Sequence, residues 1–333
     1  MSKPVESPLA LAERVRAGDR GGVAQALNLV DDGRAARRAD ALDLLDALEG
    51  HAKGRRIGIT GAPGAGKSTL LDALATRLGS QGRSVAILAI DPSSRKSGGA
   101  LLGDRFRMGA SARDSGVFFR SLAARDQLGG LSEITGASLD VLAAAFDTVF
   151  VETVGVGQSE AGIVDLVETL VFVAQPAAGD LVQFMKAGIL EWPDVFFVNK
   201  SDLSQLAGRT ASELRAGIEL GRPDAPGERA PVLCGSARDG VGIDELIDAI
   251  DRHHASLART EAGARRRSAG RLARIRTALT TRYGTRGLAR LTAEAPLEQQ
   301  VDAQPGRSVE RIIDRLGARI EAGWAGTDAA GAA

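Results

Sequence analysis

"GITGAPGAGKSTLLDAL", residues 58 to 74, decides the fold. An apolar, strand-like run opens it and an amphipathic helical pattern closes it, with Gly61, Ala62, Pro63, Gly64, Ala65, Gly66, Lys67, Ser68 and Thr69 between. That is the setting a phosphate-binding loop of the form G-x-x-x-x-G-K-S requires. Glycines let successive backbone N–H groups turn inward around phosphate oxygens, and the following helix adds its positive end. Lys67 is expected to reach the β- and γ-phosphates, and Ser68 to ligate Mg²⁺.

The texture on either side extends the reading. Between Arg55 and about His254, short β-rich runs ("RIGIT", "SVAILAI", "TVFVE", "TLVFVA", "DVFFVNK", "PVLCGSA") alternate with helical stretches. Buried parallel strands with crossover helices give that rhythm. The expected fold is α/β: a P-loop NTPase domain over residues 54–255, with a mostly parallel sheet and helices on both faces. Residues 1–53 carry apolar positions at helical spacing, such as Leu42, Leu44, Leu45 and Leu48, and are expected to form an N-terminal helical extension. Residues 256–325 are expected to form a C-terminal helical region. Its basic stretch "ARRRSAGRLARIRTALTTRYGTRGLAR" is followed by the amphipathic "SVERIIDRLGARIEAGW". A Gly/Ala-rich tail, 326–333, is expected to be disordered.

Composition narrows the function classes. Lys+Arg and Asp+Glu stand at 42 each, so no global field points to nucleic acid or to an acidic membrane. The single cysteine, Cys234, excludes an intramolecular disulfide framework. No apolar run reaches the roughly 18 to 20 residues that span a bilayer, and no secretory succession opens the chain; the expected location is the cytoplasm.

"DVFFVNKSD", a polar turn if taken alone, points to guanine when it stands downstream of a phosphate loop. Asn199, Lys200, Ser201 and Asp202 follow an apolar strand, as the guanine-reading N-K-x-D of G proteins does. A carboxylate at Asp202 can accept from both N1–H and the exocyclic amine of guanine, donors adenine does not offer as a pair. Further on, "CGSARDGVGIDEL" places Ser236 and Ala237 where G proteins set a backbone N–H against the guanine carbonyl. A strand followed by a turn and a helix cap is the alternative reading of that stretch.

"FVETVGVGQSE", residues 150 to 160, sits where Ras-like switches read Asp-x-x-Gly-Gln. Glu152 ends a strand and Gly155 follows where its N–H would sense the γ-phosphate, but Val156 takes the place of the glutamine. The second strand ends in Asp91, and the loop "RKSGGALLGDRFRM" brings Asp104, Arg105 and Arg107. Each carboxylate has a structural alternative as a turn former or helix cap. Their convergence beside the phosphate loop favours magnesium binding and water positioning.

Taken together, "GAPGAGKST", "AIDPSS", "SGGALLGDRFRM", "ETVGVGQSE", "NKSD" and "GSARDGVGIDEL" resemble the G proteins that chaperone adenosylcobalamin-dependent acyl-CoA mutases, the methylmalonyl-CoA mutase-associated GTPases called MeaB or ArgK. The resemblance covers about Arg55 to His254 closely and the helical flanks in outline, and E-T-V-G-V-G-Q-S-E is that family's own signature. It implies that Lys67, Ser68, Asp91, Asp104 and Glu152 surround the phosphates and Mg²⁺. "AAGDLVQFMKAG" resembles a nucleotide-responsive, mutase-facing segment, which nominates Asp180, Gln183 and Lys186, beside Arg107, as switch or partner residues. An ordinary exposed loop is the alternative there. The chain departs from the family's pattern at Arg95-Lys96, across "FFRSLAARDQLGG" and at Ala177.

The implied activity is hydrolysis of GTP to GDP and phosphate, in a cycle that gates cofactor loading, protection and reactivation of a mutase. With Val156 in place, slow intrinsic turnover is expected. Gln158, Asp91 or Lys186 would complete the site when the mutase docks. Tight cobalamin binding is not expected: the Asp-x-His-x-x-Gly signature is absent and His51, His253 and His254 are the only histidines. In the family the C-terminal helices mediate homodimerisation, which the segment around Ile312, Ile313 and Leu316 suits; a solvated basic face is the alternative. No nucleic-acid or membrane partner is expected. The rivals are a GTPase for nickel-enzyme maturation, which needs metal-handling Cys and His residues, a signal-recognition-type GTPase, a small-molecule kinase, and a scaffold with vestigial hydrolysis.

Overall fold

The structure, a computed structural model, describes residues 6–92, 116–124, 133–153, 162–176, 189–221 and 230–330. The chain forms two compact units, one spanning Gly54–Ser132 and Phe146–Arg266, the other Met1–Lys53, Glu133–Ala145 and Arg267–Ala333.

The first unit is built on a sheet. Its strands are β1 (Arg55–Thr60), β2 (Val85–Pro92), β3 (Phe118–Ala124), β4 (Thr148–Glu152), β5 (Thr169–Ala174), β6 (Val195–Val198) and β7 (Val232–Cys234). They lie in the order β3-β2-β4-β1-β5-β6-β7, and every pairing among the described strands is parallel. Every residue of β4, β5 and β6 is buried, which is why these strands read as unbroken apolar runs. Alternate residues still serve opposite faces. Phe196 and Phe172 pack with Ala207 and Leu214 of the helix Ser204–Gly221. Phe197 and Val173 pack in a second core with Leu70 and Leu74 of the helix Lys67–Ser80 and Leu246 and Ile250 of the helix Ile243–Arg259. Helices therefore cover both faces, as the strand texture predicts.

β3 was not foreseen. It lies within "FFRSLAARDQLGG", pairs with β2 from Ala86 opposite Phe118 to Pro92 opposite Ala124, and forms the sheet edge. Edge strands tolerate polar residues, so Arg120 and Ser121 interrupt the apolar pattern that marks the central strands.

The second unit is helical among its described residues. The helix Pro8–Arg16 starts on Ser7, whose hydroxyl accepts from Ala10 N at 3.3 Å, and the helix Arg20–Val30 starts on Asp19, which accepts from Gly21 N and Gly22 N. The helices Ala35–Leu48 and Glu133–Ala145 complete the part drawn from the first half of the chain. Glu133–Ala145, although flanked by strands in sequence, belongs here and not with the sheet. From Arg267 onward come the rest of the helix Glu261–Glu294, kinked at Gly284 (φ 68°, ψ 177°), then Leu297–Asp302 and Val309–Ala330. The last helix thus continues into the stretch read as a tail.

Ile312, Ile313 and Leu316 lie in this unit's own core with Ile275 and Leu279, at most 1% exposed. The helical period that made them candidates for a dimer surface is satisfied within the chain, so they are not available as one. The basic run is also spent internally. Arg274 bridges Asp140 at 3.0 Å and Glu310 at 2.9 Å, Arg282 pairs with Glu133 and Asp314, and Arg271 pairs with Glu49. Arg311 pairs with Asp46 and Asp43. Burial pushes the Glu310 carboxyl above the usual carboxylate range against the pull of Arg274, with Asp140 adding to the rise.

Candidate nucleotide-binding site

The phosphate loop joins the end of β1 to the helix Lys67–Ser80. Two glycines are required by contact and by conformation. At Gly61 (φ 140°) a Cβ would sit 2.1 Å from Val173 O; at Gly66 (φ 89°) it would sit 2.4 Å from Asn199 Nδ2. Gly66 starts the helix and no side chain among the described residues caps it, so the first-turn N–H groups face the loop as anion donors. Lys67 is 7% exposed; its Nζ donates to Gly61 O at 2.8 Å and Ala62 O at 3.2 Å. Ser68 Oγ donates to Glu152 Oε1 at 2.8 Å. Glu152 reaches this point because β4 pairs with β1 and β2, with Glu152 opposite Ile59 and Ala89. Thr153 Oγ1 donates to Thr60 Oγ1 at 3.3 Å and ties the ends of the two central strands together.

The loop after β6 builds the other half. Asn199, 3% exposed, donates from Nδ2 to Ala65 O at 2.9 Å, and its Oδ1 accepts from Ala237 N at 2.9 Å. One side chain thus fastens the phosphate loop to the loop after β7. Lys200 adopts φ 58°, and its Nζ donates to Gly64 O at 2.8 Å and Gln175 Oε1 at 2.9 Å. Ser201 N donates to Gly235 O at 2.9 Å. The Asp202 side chain remains 34% exposed, and its Oδ2 accepts from Arg238 at 3.3 Å. Arg238 also bonds Asp239, which, with help from Ser236 Oγ at 2.6 Å, holds that carboxyl below its usual range. The Ala237 N–H, expected at the guanine carbonyl, is donated to Asn199 in the structure.

Of the residues nominated from sequence, Gly61 to Ser68, Glu152, Asn199, Lys200 and Ala237 are connected by these bonds, and Ser236 and Asp202 through Asp239 and Arg238. Asp91 lies near the end of β2, two positions beyond the residue opposite Glu152, at the same end of the sheet. Asp104, Arg107, Gly155, Gln158, Asp180, Gln183 and Lys186 lie outside the described residues. Sequence reading missed Thr60, Thr153, Gln175 and Arg238. Thr153 and Arg238 lie inside quoted motifs without an assigned role, and Thr60 and Gln175 are marked only by their places at strand ends. For magnesium, the pair Ser68 Oγ and Glu152 fits: it is all oxygen, and Mg²⁺ favours hard oxygen ligands with phosphate completing the shell.

The model of a family described as methylmalonyl-CoA mutase-associated GTPase MeaB matches residues 23–286. A protein of Mycobacterium tuberculosis described as a probable GTPase is 41% identical over 251 residues, covering 74% of this chain and 75% of that protein. The mitochondrial methylmalonic aciduria type A homolog of Mus musculus is 35% identical over 266 residues, covering 75% of this chain and 64% of that protein. A crystal structure described as an LAO/AO transport system kinase matches with a TM-score of 0.69 at 26% identity, covering 96% of this chain and 100% of that one.

Proposed function

The chain belongs to the MeaB family of P-loop GTPases, and from that premise we propose that it is a guanine-nucleotide switch serving an adenosylcobalamin-dependent acyl-CoA mutase in cofactor loading, protection and reactivation. The observation that carries the reading is Asn199: it bonds to the phosphate loop and to the loop after β7, beside the carboxylate that would read guanine. Phosphate and base recognition are thereby one rigid unit.

The chemistry follows from the residues. Phosphate oxygens compete with Gly61 O and Ala62 O for the Lys67 ammonium, which then neutralises charge developing on the transferred phosphoryl group. Ser68 and Glu152 would hold Mg²⁺, which supplies further charge neutralisation when bound. Asp202 accepts from guanine N1–H and N2–H. Val156 cannot orient the attacking water, so intrinsic turnover is slow. Gln158, Asp91 or Lys186 completes the arrangement when the mutase docks on the segments that carry Arg107, Asp180, Gln183 and Lys186. The family name and the mouse relative's name support the mutase as partner. Homodimerisation falls to the surface of the helical unit, where Trp324 is 37% exposed.

Steady-state hydrolysis of GTP and ATP, with and without methylmalonyl-CoA mutase, tests this. GTP-selective turnover that rises on adding the mutase is expected. Turnover indifferent to the mutase would remove the partner from the reading and leave the GTPase.

A further inference from the structure

Gln175 belongs to no nucleotide-binding motif, yet it is joined to one. Its side-chain oxygen accepts from Lys200 Nζ at 2.9 Å, and the same ammonium donates to Gly64 O of the phosphate loop at 2.8 Å. Sheet register brings these groups together: β5 and β6 run parallel with Ala174 opposite Val198, so the next residues along each strand are Gln175 and Asn199. Lys200 then turns back over the loop because it adopts φ 58°. It is the one non-glycine residue with positive φ among the described residues, in a conformation unfavourable for an L-residue. Its neighbours enforce the turn, with Asn199 N bonded to Ala174 O and Ser201 N bonded to Gly235 O.

We propose that Gln175 is a positioning residue of the guanine-nucleotide site, fixing Lys200 against the phosphate loop and so setting how long nucleotide stays bound. This rests on the reading of the site given above. A lysine ammonium is a point charge on a flexible stem, and a single carbonyl at Gly64 leaves that stem several rotamers. The Gln175 amide, half-buried at the end of a fully buried strand, selects one of them. Without it, Lys200 and the turn leading to Asp202 must be ordered by the nucleotide itself, and that ordering lowers affinity. At the phosphate end of the site Lys67 is held by Gly61 O and Ala62 O, and Ser68 by Glu152, so the groups assigned to turnover are placed by contacts other than the one between Gln175 and Lys200.

The test is GDP release by stopped-flow, together with GTP KM and kcat, for the wild type, Gln175→Met and Gln175→Glu. Methionine keeps the length and removes the acceptor; glutamate keeps the acceptor. Gln175→Met is expected to release GDP about fivefold faster and raise KM to match, with kcat within about twofold of the wild type, the scale of one lost hydrogen bond of ordinary net strength. Gln175→Glu is expected to restore slow release. Should Gln175→Met fail to fold, Gln175→Ala removes the acceptor with a smaller side chain and carries the same expectation. Unchanged release in the acceptor-less variant, a fall in kcat equal to the rise in KM, or failure of Gln175→Glu to rescue would overturn the proposal. A wild-type protein that binds ADP as tightly as GDP would instead overturn the reading of the site, and the proposal with it.

Discussion

The phosphate-loop end of the sheet and the helical unit use polar side chains in opposite ways. Beyond the ends of β1 and β6, Lys67, Asn199 and Lys200 hydrogen-bond to backbone carbonyls of the phosphate loop. In the helical unit, Arg274, Arg282 and Arg311 bond to carboxylates of helices far away in sequence. A donor held by a neutral carbonyl can be re-partnered by a phosphate, because the new acceptor carries more charge than the one released. An arginine already paired with one or two carboxylates offers a ligand little. The first arrangement suits a binding site and the second a scaffold.

The largest expected effect is at Lys67: Lys67→Ala should lower GTP turnover about a hundredfold or more, while the thermal midpoint of the protein moves little. A large loss of stability would show that Lys67 serves structure after all. Next is Arg274→Met, which removes the shared ion-pair partner of Asp140 and the 2%-exposed Glu310. The denaturant midpoint should fall by the equivalent of about 3 kcal/mol, with GDP affinity retained by the folded protein. Loss of GDP affinity in proportion would abolish the division of labour. A smaller effect is expected at Asn199→Ala, where two buried hydrogen bonds are lost: about tenfold weaker GDP binding by calorimetry, with the Asp202 preference for guanine intact.

The smallest effect concerns pH and should have opposite signs in the two units. Burial holds the His253 imidazole below its usual range, opposed by Asp194 and reinforced by Arg266. The unfolded chain then takes up the proton first, so the sheet unit loses stability as pH falls through about 6.5. Glu310 in the helical unit is held above the usual carboxylate range, so the folded state keeps its proton longer. That contribution grows as pH falls towards the ordinary carboxylate value. Hydrogen exchange resolved by peptide and corrected for intrinsic rates would separate the two slopes; parallel slopes would contradict the assignment.

Legibility in the sequence follows the same divide. The phosphate loop and "NKSD" are contiguous, and each sits after a buried parallel strand whose apolar run is unmistakable, so both the sheet and the core of the site could be read directly. The edge strand β3 escaped because Arg120 and Ser121 break its pattern. The ionic lattice escaped because it pairs residues such as Arg274 and Asp140 across more than a hundred positions, and equal totals of acidic and basic residues say nothing about who pairs with whom. Ile312, Ile313 and Leu316 looked like an interface because a helical apolar stripe is the same whether its cover comes from this chain or another. Gln175 lies in no motif and Arg238 sits inside "GSARDGVGIDEL" without an assigned role; register and loop geometry bring them to Lys200 and Asp202.

If the carboxylate of Asp202 selects guanine, nucleotide preference in the wild type and in Asp202→Asn will show it. The wild type should turn over GTP at least about a hundredfold better than ATP or xanthosine triphosphate, judged by kcat/KM. Asp202→Asn should lose GTP and gain xanthosine triphosphate, because the amide N–H now meets the carbonyl that replaces the exocyclic amine. Equal use of ATP and GTP by the wild type, or an Asp202→Asn variant that still prefers GTP, would contradict the account.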